Sequence, residues 1–468
     1  MKIGLVGASY EQRSLPFNAQ RTINLYPVFD QQGKEVAALY GTPGKSLFTD
    51  SGLGPVRGCF ASANGRAFAV SGSRLVEISS NGDVTDRGGL DQSQGVVTMA
   101  ENATQLAVCD GFSLYILTYS NNNYEKVTDA DFPSAGGGTV AYIDGYFAVN
   151  ENGTGRFYIS ALNNGLSWDA LDFATAESSP DELRICVNAV GQLWLFGRNT
   201  TEIWTNTGSS DFPFRRIGGA VMEVGIASPF TAIEIDNGII FIGRDDYGNG
   251  VVYKTQGFNP ARISTTPIEK RLQEAGDIDQ IRGYAYQEEG HFFYVLTGGG
   301  LETSLVYDLT TQQWHERAFL NEEGNFAQDL AVDHMFAFGR HLVGDRRNGK
   351  IYEQSLDFFD DDGEELVRER IYTHLSDEGA RIRYNALEVG FETGVGLQSG
   401  QGDNPTVSLR LSKDGARTWS DAYTVPIGKV GEYQQKVAFR RLGMAEQMTF
   451  RVRISDPVKV AIIGSYLS

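Results

Sequence analysis

Gly41-Thr42-Pro43-Gly44-Lys45-Ser46 ends in the letters of a phosphate-binding loop, in which backbone N–H groups cradle phosphates and a lysine reaches the outermost ones. That loop requires a glycine five residues before Gly44, between a strand and a helix, and Leu39 stands there instead. The segment therefore reads as a turn. The five histidines, His291, His315, His334, His341 and His374, stand apart, with neither an H-x-x-E-H nor an H-x-H spacing to hold a metal. Cys59, Cys109 and Cys186 fall singly, two of them inside apolar runs, and read as small buried hydrophobes rather than a disulfide or zinc framework. The acidic segment Asp357 to Glu365, with Asp360-Asp361-Asp362-Gly363-Glu364-Glu365, lacks the alternation of a calcium loop and reads as a solvated loop. No G-x-S-x-G nucleophile elbow occurs. The residue types thus predict no catalytic, cofactor-binding or metal-ligating residues.

Ser412-Lys413-Asp414-Gly415-Ala416-Arg417-Thr418-Trp419 follows the Asp-box pattern S-x-D-x-G-x-T-W with the glycine one place early, and Ala161 to Trp168 is a degenerate copy. The physics is a hairpin whose Asp or Asn accepts backbone N–H bonds while the tryptophan packs beneath. The box resembles those of sialidases, which are propellers, and so raises a glycosidase alternative. Such an enzyme needs paired carboxylates across a sugar, or a tyrosine nucleophile with an arginine cluster. The 59 acidic residues and 21 tyrosines show no spacing that selects either set.

The elements that would position any site form a repeat. Apolar runs starting near Phe68, Leu106, Tyr146, Leu193, Ile239, Phe292 and His341 recur 38 to 53 residues apart, each bounded by Gly, Asn or Asp turns. Several outer runs end in an aromatic, as in Glu202-Ile203-Trp204 and Leu305-Val306-Tyr307. Four-stranded propeller blades require this spacing, and 55 glycines against 13 prolines suit many tight turns. The expectation is an all-β chain with a β-propeller of six or seven blades over residues 55–370. An irregular sandwich array is the alternative. Residues 1–54 read as an extended N-terminal arm packed with the C-terminal domain. Residues 371–468 alternate apolar and polar positions, as in Val407 to Leu411, Lys436 to Arg440, Phe450 to Ile454 and Val458 to Ile463, which predicts a β-sandwich-like platform domain.

Charge divides the chain. Residues 371–468 hold 12 Lys+Arg and 10 Asp+Glu, which leaves 28 against 49 for residues 1–370, a net of −21. That field repels nucleic acid and anionic membranes, which argues against an ordinary DNA-binding role. No segment reads as a membrane span, and the apolar stretch at the start is too short for a secretory signal.

Asn18-Ala19-Gln20-Arg21-Thr22-Ile23-Asn24-Leu25-Tyr26-Pro27, then Leu39 to Gly44, resembles the opening of the packaged-DNA stabilisation proteins of short-tailed bacteriophages, also called tail hub or nozzle proteins. Ser412 to Trp419, Arg440-Arg441-Leu442-Gly443, Thr449 to Ile454 and Pro457 resemble their end. The resemblance implies a structural virion protein, synthesised in the host cytoplasm. It implies a homo-oligomeric ring, commonly a hexamer, below the portal-adaptor complex, which continues the DNA channel and retains packaged DNA. Partners would be the portal-adaptor proteins, tail spikes or fibres, a needle or plug, and double-stranded DNA passing without specific binding. A phage propeller glycoside hydrolase acting on host-surface polysaccharide, and a monomeric propeller adaptor, are the alternatives. Arg440, Arg441, Arg451 and Arg453 are the interface candidates, because arginines interleaved in a near-neutral sheet suit subunit contacts.

Overall fold

The computed structural model describes residues 2–4, 6–30, 37–176, 180–245 and 247–468. The part of the expected arm at residues 31–36 lies outside the described residues. The chain forms seven antiparallel blades and a two-sheet domain. Each expected apolar run is the second strand of its blade, for example Ala67–Ser71, Gln105–Cys109 and Gln192–Gly197. The first two of these are buried along their whole length. A strand covered by neighbouring blades on both faces has no wet side, which is why these runs are continuously apolar rather than alternating.

Of the six or seven blades expected, seven are present among the described residues. In the fifth, the innermost strand is split into Gly225–Ile226 and Ile233–Ile235, both paired with Gly238–Asp245. Seven hydrophobic clusters fill the seven blade-to-blade interfaces. One joins Val56, Ala69 and Val76 of the first blade to Met335, Leu342 and Ile351 of the seventh, so the ring is closed. The eight-residue Thr266–Gln273 is the one α-helix among the described residues and packs Ile268 and Leu272 into the interface of blades five and six.

The seventh blade is composite. Ala331–Ala337, Arg340–Asp345 and Lys350–Ser355 are its first three strands, and the arm returns to supply the fourth, Gly44–Asp50. The phosphate-loop look-alike is thus the short Thr42-Pro43 connection between two strands together with the start of the second, Gly44–Asp50. Its Lys45 is 3% exposed and sits 2.7 Å from Asp329 and 3.0 Å from Asp361. The acidic segment correspondingly is not simply a solvated loop. It lies alongside the closing strand: Gly44 N–H donates to Phe358, Lys45 N–H to Asp360, and Asp362 N–H to Lys45. A side chain at Gly44 would collide with the carbonyl oxygens of Phe358 and Asp360, so this close approach needs glycine.

The C-terminal domain is a sandwich whose layers enclose one core, with Tyr384, Leu387, Leu409, Phe439, Phe450 and Ile462 at its centre. One layer holds Ile382–Phe391, Val437–Ala445 and Ala461–Leu467, with Lys2–Ile3, Leu25–Phe29 and Ala37–Gly41 from the arm. The other holds Arg368–Ile371, Gln447–Ile454, Thr406–Ser412 and Tyr423–Pro426. Arg368–Ile371 begins three residues before the expected boundary at 370/371 and belongs to this domain's sheet. The last strand also begins later than its sequence pattern, at Ala461, while Val460 offers its carbonyl to Gly41 across the sheet. The arm strand Ala19–Ile23 pairs with Arg368–Ile371 on one side and meets Glu316 of the sixth blade through Ile23 on the other, so a single sheet runs from propeller to sandwich.

Lys45→Met would leave Asp329 and Asp361 buried without their cation. The expected cost is about 3–5 kcal/mol. A lowered urea midpoint measures it, and an unchanged midpoint contradicts the assignment.

Candidate functional site

Most of the residues flagged for chemistry lie in buried or paired positions. Among the described residues, no group of three or more His, Cys, Asp or Glu is placed to hold a metal. The histidines are nevertheless not all isolated. His334 and His341 lie on paired strands of blade seven, with Nε2 of one 3.0 Å from Nδ1 of the other. Sequence spacing missed this pair because an antiparallel hairpin, not a motif, brings it together. His334 also packs against the rings of Tyr284 and Tyr286. Burial, then the neighbouring His341 and Arg317, push its imidazole down to about 3, so it is neutral at pH 7. His291 Nδ1 is 2.7 Å from Asp308, His374 Nε2 is 2.5 Å from the Leu15 carbonyl, and His315 is wholly buried beside Tyr26. Cys109 and Cys186 are buried and Cys59 is partly so; all three are free thiols.

The Asp-box letters fold as their physics requires, with one difference. Asp414 accepts from the backbone N–H groups of Arg417 and Thr418 and from the Ser412 and Thr418 hydroxyls. These bonds, the Thr418 hydroxyl first, hold its carboxyl well below the usual range. Trp419 does not sink beneath the hairpin but lies half-exposed under the Arg451 guanidinium, 4.7 Å from its ring centre. In the degenerate copy Trp168 is buried and donates Nε1–H to Gly165.

The densest polar constellation joins arm, propeller and sandwich. Glu316 is fully buried and takes Arg21 at 2.6 Å, Arg271 at 2.9 Å, and the Ser9 and Thr303 hydroxyls at 2.8 Å each. Burial opposes its charge, but the two guanidinium groups hold its carboxyl below the usual range. Asn24, in a left-handed conformation with φ of 53°, bonds both Ala318 backbone groups and the Val367 carbonyl. Arg370, wholly buried, donates to Ala8, Arg21, Thr22 and Gln20 of the arm. Sequence reasoning did not single out Glu316 or Arg370, since nothing in their local spacing announces partners about 300 residues away.

Of the four interface candidates, two are engaged within the chain. Arg453 Nε is 2.7 Å from Glu369 and its guanidinium lies over Phe326 of blade six, while Arg451 stacks on Trp419. Arg440 and Arg441 are exposed on the outer sheet of the sandwich. With Arg383, Met444, Tyr466 and the terminal Ser468 they line an open cleft of about 970 Å³. Among the innermost propeller strands a recess of about 510 Å³ is lined by Met99, Val140, Ile185 and Val187 together with Glu101, Asn188 and Asp333.

A propeller followed by a sandwich is also the order of two family models that match this chain: bacteriophage P22 Gp10, β-propeller, over residues 1–358, and bacteriophage P22 Gp10, β-sandwich, over residues 368–468. The chain belongs to the phage P22 Gp10 family. These are the packaged-DNA stabilisation proteins of short-tailed bacteriophages, structural components of the virion tail. No curated protein matches this Gp10-family chain. Among solved structures it is similar to the WD40 propeller domain of Doa1, at 11% identity and TM-score 0.41, covering 67% of this chain and 97% of that one. It is also similar to the extracellular domain of BT4673 from B. thetaiotaomicron, at 10% identity and TM-score 0.45, covering 89% and 59%. A third is the propeller domain of Myceliophteria thermophila Cps50 (Swd1), at 7% identity and TM-score 0.43, covering 66% and 99%. No helix among the described residues is long and apolar enough to cross a membrane.

The neutral His334 makes this Gp10-family fold acid-sensitive. An unfolded histidine takes up its proton near pH 6.5, whereas His334 resists until about 3. Between those values the unfolded state binds more protons, so stability falls as pH is lowered, by up to about 1.4 kcal/mol per pH unit. Urea midpoints measured from pH 7 to 4.5 should therefore decline less steeply in His334→Gln than in the parent.

Proposed function

We propose that this chain assembles into a ring of identical copies, six in number, below the portal-adaptor complex, where it continues the DNA channel, retains the packaged genome and docks spikes, fibres or a needle. The observation that carries this reading is the family match across both domains. The charge division supports it. The repeats carry a net of −21 over residues 1–370, and a strongly acidic surface cannot grip a polyanion that must slide past it.

On this reading the chain has no turnover of its own and is made in the host cytoplasm. Assembly rests on the near-neutral sandwich. Arg440 and Arg441, exposed beside Arg383, are the arginines offered to a neighbouring acidic surface. Arg453 acts indirectly, by holding the sandwich against Phe326 of the propeller, and Arg451 acts within the sandwich, through Glu369 and Trp419.

Charge reversal separates these roles. The double variant Arg440→Glu, Arg441→Glu should keep its thermal midpoint and lose rings in sedimentation and electron micrographs, with particles that leak DNA. Arg453→Glu should lower the midpoint first. The free parent protein should bind duplex DNA no better than non-specific background, a Kd of about 10⁻⁴ to 10⁻⁶ M or weaker, at physiological salt. Tight, salt-sensitive DNA binding, or particles that lack the chain yet keep their genome and infect normally, would refute the reading.

A further inference from the structure

One blade-to-blade interface holds most of the unpaired buried polarity. Fifteen buried side-chain polar atoms among the described residues make no hydrogen bond to another protein group, and nine of them gather between blades six and seven: two each on His315, Arg317 and Gln354, and one each on Tyr284, Glu288 and Asp329. Tyr284 belongs to the cluster that fills this seam with Ala331, Val343 and Tyr352. Arg317 lies over the rings of Tyr286 and Phe293, 5.2 and 5.3 Å from their centres, and His315 packs on Phe293. Gln354 stands opposite His341, whose ring meets Tyr286 across the seam, and two positions beyond Tyr352 on the same strand, so it faces the same way. Asp329 N–H donates to Ser304 of blade six, and Glu288 accepts from Leu356 N–H beyond the third strand of blade seven.

Charges of both signs are buried in this seam without meeting. Arg317 forms no ion pair with a described residue; its Nη2 donates to the Tyr286 hydroxyl, while Nε and Nη1 have no protein partner. The carboxylates of Asp329 and Glu288 are near enough to feel its charge. Asp329 gives one oxygen to Lys45 at 2.7 Å and Glu288 one to Leu356 N–H at 3.3 Å, and each keeps its other oxygen unpaired. Separations beyond about 3.5 Å between such groups are the ones that a water molecule bridges. The unpaired donors are Nε and Nη1 of Arg317, Nε2 of Gln354 and the Tyr284 hydroxyl, and the unpaired acceptors are the two carboxylate oxygens and Oε1 of Gln354. Burial holds the His315 imidazole neutral, so its two nitrogens add one donor and one acceptor. An anion would serve the donors and be repelled by the carboxylates, and a metal cation would do the reverse. Water both donates and accepts, and protein interiors use it to satisfy such groups at about three hydrogen bonds per molecule.

We propose that a cluster of ordered water molecules is built into the seam between blades six and seven, where it bridges Arg317 to Glu288, Asp329, Gln354 and Tyr284. Blade seven, the blade completed by the N-terminal arm, is thereby joined to blade six through bound solvent as well as through side-chain packing. The site involves neither the sandwich arginines nor ring assembly.

A crystal structure of the full chain, refined at a resolution that shows bound solvent, tests this directly. Solvent peaks are expected in the seam, each within about 2.7–3.2 Å of two or more of these atoms. Crystals soaked in sodium bromide should give no anomalous peak beside Arg317. Tyr284→Phe deletes one oxygen and keeps the ring. It should lower the urea midpoint because a bound water loses a partner, whereas in a dry seam the loss of an unpaired hydroxyl leaves the midpoint unchanged or raises it. Gln354→Leu should lower the midpoint likewise, and the double variant should lose less than the two single variants together, since both break one network. A seam free of solvent density in which these side chains pair with one another, a bromide peak at Arg317, or a midpoint that Tyr284→Phe leaves unchanged or raises would each overturn the proposal. Strictly additive losses in the double variant would overturn it too, by showing that the two residues share no water.

Discussion

A ring of blades has no natural end, and in this chain one buried ammonium group fastens the place where the two ends meet. Lys45 lies on a strand contributed by the N-terminal arm, and both of its carboxylate partners come from more than 280 residues later. A cation in such a place is stable only because two anions and the surrounding backbone replace its water. Burial works against charge at all three groups. Lys45 nonetheless stays protonated, and Asp329 is held low by it, while Asp361 ends above its ordinary value because burial outweighs the same attraction. The blade-to-blade clusters supply most of the apolar burial, yet they are non-directional. The lysine fixes which strand fills the last position, and in which register.

The same economy of long-range polar contacts fixes the sandwich. Glu316 and Asn24 reach from blade six and the arm into one junction, and Arg370 draws four arm residues onto the C-terminal sheet. Removing any one leaves buried groups of the others unsatisfied, which is more costly than the contact is favourable. The N-terminal letters that resemble other family members are thereby explained. Thr22, Asn24, Tyr26, Gly41 and Gly44 each occupy a buried or closely approached position in this junction or in the closing blade.

Much of the fold is legible in the sequence because the second strand of each blade is largely covered on both faces and carries a short apolar run. Seven such runs leave six or seven blades open, and the fold resolves them as seven. The composite blade is not legible, since Gly44 to Asp50 carries exposed Ser46 and Leu47 and a lysine, a pattern that local reading takes for a turn. The His334 and His341 pair escaped for a related reason: their separation of seven residues has meaning only once a hairpin is placed between them. Of the arginines chosen by alternation, Arg451 and Arg453 occupy one sheet and Arg440 and Arg441 another, and alternation cannot tell a face turned to the propeller from one turned to solvent.

The closing strand has a consequence for synthesis on the ribosome. Gly44–Asp50 emerges about 300 residues before the strand that receives it, Lys350–Ser355. At roughly 5–20 residues per second the early strand waits on the order of 15–60 s for its partner. Throughout that interval the nascent blades present an open seam, and their unpaired strand edges can join another chain as readily as their own. Production of this protein is thus most exposed to cross-chain mispairing in the stretch between the making of the first blade and the last, and chaperone occupancy should matter there more than at any later stage of tail assembly.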